Sequence, residues 1–102
     1  MNGNFTRLNR QHGGQELEVE GWLDWEEGDT GATLRITITQ GTLTATADPE
    51  PVTPDDTTWK VTVTANGAQF AQGVAAGLAG ATVQSSGGNS DQSWISGPLQ
   101  VH

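Results

Sequence analysis

The sequence predicts an all-β domain, an antiparallel β-sandwich of six or seven short strands. Apolar and polar residues alternate with period two through most of the chain, which is typical of strands with one buried face. Turn-forming residues separate the alternating segments at intervals of about 8–12 residues, and no segment has convincing helical spacing. The 102 residues, none of them cysteine, correspond to a single domain without disulfides.

Residues 1–14 are polar and glycine-containing, and they lack a hydrophobic period. They hold two arginines and no acidic residue, so they carry +2; the whole chain carries −8, and residues 15–102 therefore carry −10. We expect a flexible or partner-ordered N-terminal arm over residues 1–14 and a β-sandwich domain over residues 15–102. Opposite charges and apolar anchors favour docking of this arm on an acidic partner. The residues expected to make the contact are Phe5, Arg7, Leu8 and Arg10.

Strict alternation begins at ELEVEGWLDW, residues 16–25. One face of this strand carries the glutamates together with Trp22 and Asp24, and we expect it to face solvent. The opposite face is apolar, and we expect it to pack into the core. That apolar face consists of Leu17, Val19, Leu23 and Trp25.

The clearest hairpin is TLRITITQGTLTATAD, residues 33–48. A two-residue turn at Gln40 and Gly41 sets Ile38 opposite Leu43 and gathers the apolar side chains on one face. The other face carries threonines, whose branched Cβ favours strands. A slip by one residue would exchange the two faces, so the register is well specified.

The next segment, DPEPVTPDD at residues 48–56, holds three prolines and four acidic residues and is predicted to be a stiff loop. TTWKVTVTA at residues 57–65 resumes the alternation. A glycine- and alanine-rich stretch follows, in which each glycine would cost ~1 kcal/mol inside a helix. We therefore predict a loop near residues 66–73 and a strand near residues 74–84.

The last two segments are QSSGGNSDQS at residues 84–93, predicted to be a loop, and WISGPLQV at residues 94–101. In the second segment Leu99 and Val101 share a phase with Ile95, and Gly97-Pro98 interrupts the run. Such an interruption is typical of an edge strand or a bulged strand.

Five stretches follow one another in residues 19–101: VEGW, TLRITITQGTLTATAD, TWKVTVTA, GVAAGLAGATVQSSGGNSD and SGPLQV. In this order they resemble a bacterial immunoglobulin-like (Big-type) domain, the repeat module of many surface adhesins that also occurs on phage virions. The resemblance implies an immunoglobulin-like antiparallel β-sandwich, to which residues 1–14 would add the arm. It also implies a role in adhesion or in a virion.

The stretch GWLDWEEGDTG, residues 21–31, sets two tryptophans among four acidic residues. Four interpretations are open: a sugar-binding face, a catalytic pair of carboxylates, a calcium loop, and the rim of an ordinary sheet. Strand parity points Trp22 outward, where it can stack on a sugar, contact a partner or simply cover the sheet. The same parity argument points Trp94 outward as a second contact.

Catalysis is not expected, because paired carboxylates need two different environments and these acids cluster in a turn. His12 and His102 lie in the arm and at the last position, without a recognisable nucleophile beside them. No cofactor is expected, and the spacing of a calcium loop is not matched. One calcium candidate stays open, with a solvated loop as its alternative; it consists of Asp48, Glu50, Asp55 and Asp56.

The sequence thus favours binding over chemistry. Its acidic charge argues against nucleic acid and anionic membranes as partners, and its first residues lack the apolar core of a signal peptide. We expect a phage virion accessory protein, a capsid decoration or tail-surface subunit, made in the host cytoplasm and docked on a virion protein through its arm. The alternative is a carbohydrate-binding or surface-adhesion module that contacts cell-surface glycans through Trp22 and Trp94. A homo-oligomer is a further expectation, because repetition would stabilise a thin core.

Overall fold

The computed structural model describes residues 1–102, apart from the side chain of Ile95. The chain forms eight strands, and a short 3₁₀ turn at His12–Gly14 follows the first of them. The all-β prediction is confirmed. The strands are β1 (Asn2–Gln11), β2 (Glu16–Asp24), β3 (Asp29–Gln40), β4 (Leu43–Thr46), β5 (Glu50–Val52), β6 (Thr58–Thr64), β7 (Gly73–Ser85) and β8 (Gly88–Val101).

All eight strands belong to one sheet, in the order β4-β3-β7-β8-β1-β2-β6, with β5 also paired to β3. The β1–β8 pair is parallel, and the other pairs are antiparallel. The sheet curls until β6 contacts β3 and β4, so it is nearly closed into a barrel with a seam between its two edges. The immunoglobulin-like sandwich is not confirmed, because the strands form one continuous sheet rather than two.

The N-terminal segment is a strand, and the prediction of a free arm over residues 1–14 is wrong. β1 pairs with β2 along its whole length and meets β8 where Leu8 lies beside Val101. The side chains of Phe5 and Leu8 are 7% and 1% exposed and belong to the core. A bulge between Phe5 and Arg7 inserts one residue, which puts the two buried side chains three positions apart and hides the period-two pattern.

The β3–β4 hairpin keeps the predicted faces but not the predicted register. Gln40 pairs with Leu43 and Ile38 with Ala45, so the turn lies at Gly41 and Thr42. This register differs from the predicted one by two residues. Because side chains alternate with period two, a shift of two leaves every side chain on its expected face. The buried side chains on these strands are Leu34, Ile36, Ile38 and Ala45.

β7 and β8 form the longest hairpin of the sheet. The predicted strand near 74–84 is confirmed as β7, whereas the predicted loop at 84–93 is wrong, because Ser85 pairs with Gly88 across a tight turn. The low hydrophobicity of this stretch reflects its exposed position at the hairpin tip. The predicted irregularity in the last strand is a bulge in β8. Leu99 pairs with Ala75 and Ser96 pairs with Gly77, so β8 has one more residue than β7 between these two pairs.

Aromatic rings packed on glycines fill the barrel interior. Phe5 and Trp59 meet edge to face, with ring centroids 5.3 Å apart. A Cβ atom on Gly77 would lie 2.7 Å from the Phe5 ring, and a Cβ on Gly21 would overlap the Trp59 ring. The absent side chains therefore make the space that the rings occupy, which compensates for the small number of large aliphatic residues.

Candidate functional site

The outer face of β1, β2 and β6 is the candidate functional site, and we name it the Trp22 face. Register pairing brings side chains from the three strands into rows across this face. These side chains come from segments far apart in the sequence, so the face exists only in the folded sheet. Starting at the C-terminal end of β2, the rows are Asn4–Trp22–Thr58, Arg7–Glu20–Lys60, Asn9–Glu18–Thr62 and Gln11–Glu16–Thr64.

Trp22 lies in the middle strand of this face and is 39% exposed. Its neighbours in the chain, Gly21 and Leu23, are buried, so the backbone beneath the exposed ring is held by the core. Asn4 lies on one side in the row, and its Oδ1 accepts a hydrogen bond from the backbone N–H of Phe5 at 2.8 Å. Thr58 lies on the other side. The outward orientation predicted for Trp22 is confirmed.

A depression of about 380 Å³ lies one row from Trp22, at the row of Arg7, Glu20 and Lys60. It opens at the point where β1 bulges at Thr6, next to Gly21 of β2. Bulges are common beside functional sites because they redirect side chains. The side chains of Arg7, Glu20 and Lys60 are among those that line this depression.

The polar groups beside Trp22 alternate in charge. Lys60 Nζ lies 3.2 Å from Glu18 Oε1 and 4.0 Å from Glu20 Oε1. The lysine is more than half exposed, so these ion pairs add little to stability and the groups remain free to bind a ligand. Arg7 lies opposite Glu20 on the other side. A ligand on the indole ring would thus meet cationic donors and carboxylate acceptors along one edge.

Trp94 was predicted to point outward, and this prediction is wrong. Its partner in β7 is the buried Ala79, and the indole packs inward against the core, above Gly3. The bulge at Gly97-Pro98 inserts a residue into β8 and reverses the parity of every position before it. Trp94 therefore contributes to the core rather than to a binding surface.

The other predicted contact residues are dispersed. Phe5 and Leu8 are core residues, as described above, and cannot anchor an external partner. Arg10 is half-buried, and its Nη2 donates to the carbonyl oxygen of Gly13 at 3.4 Å. Of the residues expected to bind a partner, Arg7 and Trp22 share one exposed surface.

The structure does not bring the four acidic residues of the calcium candidate together. The residues that the structure describes contain no group of three or more acidic or histidine side chains placed to hold a metal ion. Asp56 Oδ2 accepts from the Thr53 backbone N–H at 2.9 Å, and its carbonyl oxygen accepts from Trp25 Nε1 at 2.7 Å. Asp48 and Glu50 instead lie at the barrel seam beside Lys60. These acids are dispersed between a turn and the seam.

The acidic turn between β2 and β3 has a structural role. Asp29 Oδ2 accepts a hydrogen bond from the Glu26 backbone N–H at 3.0 Å, which closes the turn. The same carboxylate oxygen lies 3.4 Å from the amino group of Met1, whose side chain is buried. Trp25, predicted to lie in the core, is half-buried at its margin.

No family model, curated protein or solved structure matches this chain. Its function is therefore inferred from the chemistry of its surfaces. Among the residues described, no helix is long and apolar enough to cross a membrane.

Sequence reasoning found Trp22 and Arg7 but missed the residues that surround them. Asn4, Glu20, Thr58 and Lys60 carry no signal of their own in a single sequence. Their proximity follows from the pairing of β1 and β6 with β2. The available signal was the matching length and phase of the TTWKVTVTA and ELEVEGWLDW segments, which suits them to pair.

Proposed function

We propose that this protein is a non-catalytic binding module and that its Trp22 face binds carbohydrate. One observation carries the proposal: a partly exposed indole stands between an amide and a hydroxyl, beside a depression lined by charged side chains. The Big-type resemblance of residues 19–101 to adhesin modules is in keeping with such a role.

A sugar ring suits this surface because it has two chemically different sides. Its C–H face is apolar and packs on an aromatic face, while its hydroxyls need donors and acceptors around the rim. Trp22 offers the aromatic face, and Glu20, Arg7 and Lys60 offer charge-assisted hydrogen bonds beside it. The strands hold these groups in place before binding, which lowers the entropy cost of forming the complex.

The charge of the face favours a neutral glycan. Four acidic side chains project from β2, namely Glu16, Glu18, Glu20 and Asp24, against the two cations Arg7 and Lys60. A sulfated or uronic-acid polymer would meet net repulsion along this strand. We therefore assign neutral hexose oligosaccharides as the ligand class.

The virion role expected from the sequence depended on a mobile arm. With residues 2–11 paired in the sheet and Phe5 and Leu8 buried, docking through the arm has no physical basis. The proposal is accordingly limited to the Trp22 face.

Replacement of Trp22 by alanine is expected to abolish glycan binding without unfolding the protein. Tryptophans at the centre of binding sites often contribute 2 kcal/mol or more, so the affinity should fall by at least about 30-fold. Stability should fall by about 1–2 kcal/mol, because more than half of the Trp22 side chain is covered by its neighbours, and this loss leaves the protein folded. The measurement is an array of neutral and sulfated oligosaccharides, followed by calorimetric titration of the neutral glycan that binds best.

The control is Ser90→Ala, which changes an exposed side chain of β8 outside the Trp22 face. This variant should bind like the unmodified protein. The proposal fails if the unmodified protein binds no neutral glycan on the array, or if Trp22→Ala binds as well as the control.

A further inference from the structure

The outer edge of β6 carries backbone groups that have no partner within the fold. β6 is the last strand of the sheet and pairs with β2 on one side. At its two ends the Leu23 N–H donates to the carbonyl oxygen of Thr57, and the Ala65 N–H donates to that of Gln15. The odd-numbered residues of β6 therefore bond to β2. Because bonding alternates along an antiparallel pair, the N–H and C=O groups of the even-numbered residues point away from β2. These residues are Thr58, Lys60, Thr62 and Thr64.

The opposite edge of the sheet faces β6 across the seam but does not pair with it. That edge consists of β4 and β5, which both pair with β3. β6 contacts β3 and β4, yet among the residues described no backbone hydrogen bond joins β6 to β4 or β5. Pro49 and Pro51 provide one reason, because proline has no N–H to donate to a neighbouring strand. The seam holds a depression of about 350 Å³ beside β6.

β6 lacks the features that usually prevent an edge strand from pairing with another chain. Such features include proline, bulges and charged side chains held over the edge. β6 reads TWKVTVT, without proline, and its register with β2 is continuous. Threonine and valine also favour extended backbone. Its one charged residue, Lys60, has its Nζ 3.2 Å from Glu18 Oε1, which directs the ammonium group towards β2 and away from the free edge.

We propose that β6 binds an extended basic peptide, which adds as a further strand along its outer edge. The backbone determines the class of partner, because a polypeptide in extended conformation offers alternating N–H and C=O groups at the spacing of a strand. The side chains around the edge determine the charge of that partner. Asp48 and Glu50 are exposed and line the seam depression, and neither forms an ion pair with another described residue.

Cationic side chains at alternate positions of such a peptide would lie between two acidic groups. Asp48 and Glu50 lie on the seam side. The glutamates of β2 would lie two strand spacings away on the other side, about 10 Å, which is close to the Debye length in 0.1 M salt. Both groups therefore attract a basic peptide to the edge of β6.

A second copy of this chain fits the same edge less well. Each copy carries −8, and pairing of two β6 edges would bring two sets of β2 glutamates and seam carboxylates together. The charges that attract a basic peptide would repel a second copy. The proposal does not depend on glycan binding by the Trp22 face.

Amide hydrogen exchange of the ¹⁵N-labelled full chain, followed by NMR, tests the proposal residue by residue. In the free protein the amides of Trp59, Val61 and Val63 should exchange slowly, and the four even-numbered amides of β6 should exchange fast. The probe is a blocked heptapeptide of alternating lysine and valine. At about ten times its Kd it should slow the four even-numbered amides about tenfold. The matching peptide of glutamate and valine should leave them unchanged.

Glu50→Gln should weaken binding of the lysine peptide about two- to fivefold, because it removes one exposed carboxylate beside the edge. The matched control is Glu27→Gln, which makes the same change at an exposed position in the turn between β2 and β3. It should bind the lysine peptide like the unmodified protein.

Three outcomes would overturn the proposal. The first is that millimolar lysine peptide fails to slow the four amides, and the second is that the glutamate peptide slows them equally. The third is slow exchange of these amides that appears in the free protein as its concentration rises, since a second copy would then occupy the edge. None of these outcomes bears on glycan binding by Trp22.

Discussion

A chain that lacks residues 1–11 is expected to be unfolded in buffer at room temperature. β1 is an inner strand between β8 and β2, so its removal leaves the long row of β2 backbone groups, and the end of β8 near Val101, without partners. The core would also lose the side chains of Met1, Phe5 and Leu8. Domains of this size have a net stability of only about 5–15 kcal/mol, which a loss on this scale exceeds. Far-ultraviolet circular dichroism and a urea titration would measure it.

A single substitution in β1 is expected to cause a smaller loss of stability than the deletion. Phe5→Ala should cost about 3–5 kcal/mol, because it empties the space between Trp59 and Gly77. Thr6→Ala, at the exposed bulge position next to it, should cost less than about 1 kcal/mol. A truncated chain that still melts cooperatively, or a Phe5→Ala variant as stable as Thr6→Ala, would mean that β1 is a detachable arm after all.

Gly21→Ala is expected to be among the most damaging single methyl additions to this protein. The new Cβ would overlap both the carbonyl oxygen of Asn4 and the ring of Trp59. The first obstacle is backbone and the second is a buried ring, so neither can move without disturbing β1 or the core. Overpacking of this kind costs about 3 kcal/mol. For a domain of this length that corresponds to a fall in melting temperature on the order of 10–20 °C.

Gly87→Ala is the matched control for the added methyl group. Gly87 lies at the tip of the β7–β8 hairpin with open space around it, and a side chain there meets no atom within 4 Å. Its melting temperature should stay within a few degrees of the unmodified protein, measured by differential scanning calorimetry. Equal melting temperatures for the two variants would contradict the tight contact between Gly21 and Trp59.

Alternation predicted most of the strands because the core takes one side chain from every second position. It failed where a strand contains an extra residue. In β1 the bulge at Thr6 breaks the phase between Phe5 and Leu8, and a strand was mistaken for an arm. In β8 the bulge at Gly97-Pro98 reverses the phase, and the inward-facing Trp94 was assigned to the surface. A single inserted residue cannot be seen in the composition. A prediction that continues the alternation past such a residue therefore assigns the side chains beyond it to the wrong face.

The candidate site was predictable only at its centre. Trp22 lies on a regular strand, and parity placed it correctly. The groups around it come from β1 and β6, and their positions depend on pairings between distant segments. The exposure of Leu78 could not be predicted for the same reason. It follows from the rolled shape of the sheet, whereas the local sequence is equally compatible with a buried leucine.

The parallel pairing of β1 with β8 has a mechanical consequence. The two strands run side by side in the same direction, with Leu8 next to Val101 and the backbone of His102 bonded to Leu8 and Arg10. A pull that separates Met1 from His102 draws the two strands along their own axes in opposite directions. The hydrogen bonds between them are then loaded together in shear, instead of opening one at a time as in a zipper. One strand can therefore slide past the other only when the bonds of His102 to Leu8 and Arg10 break together.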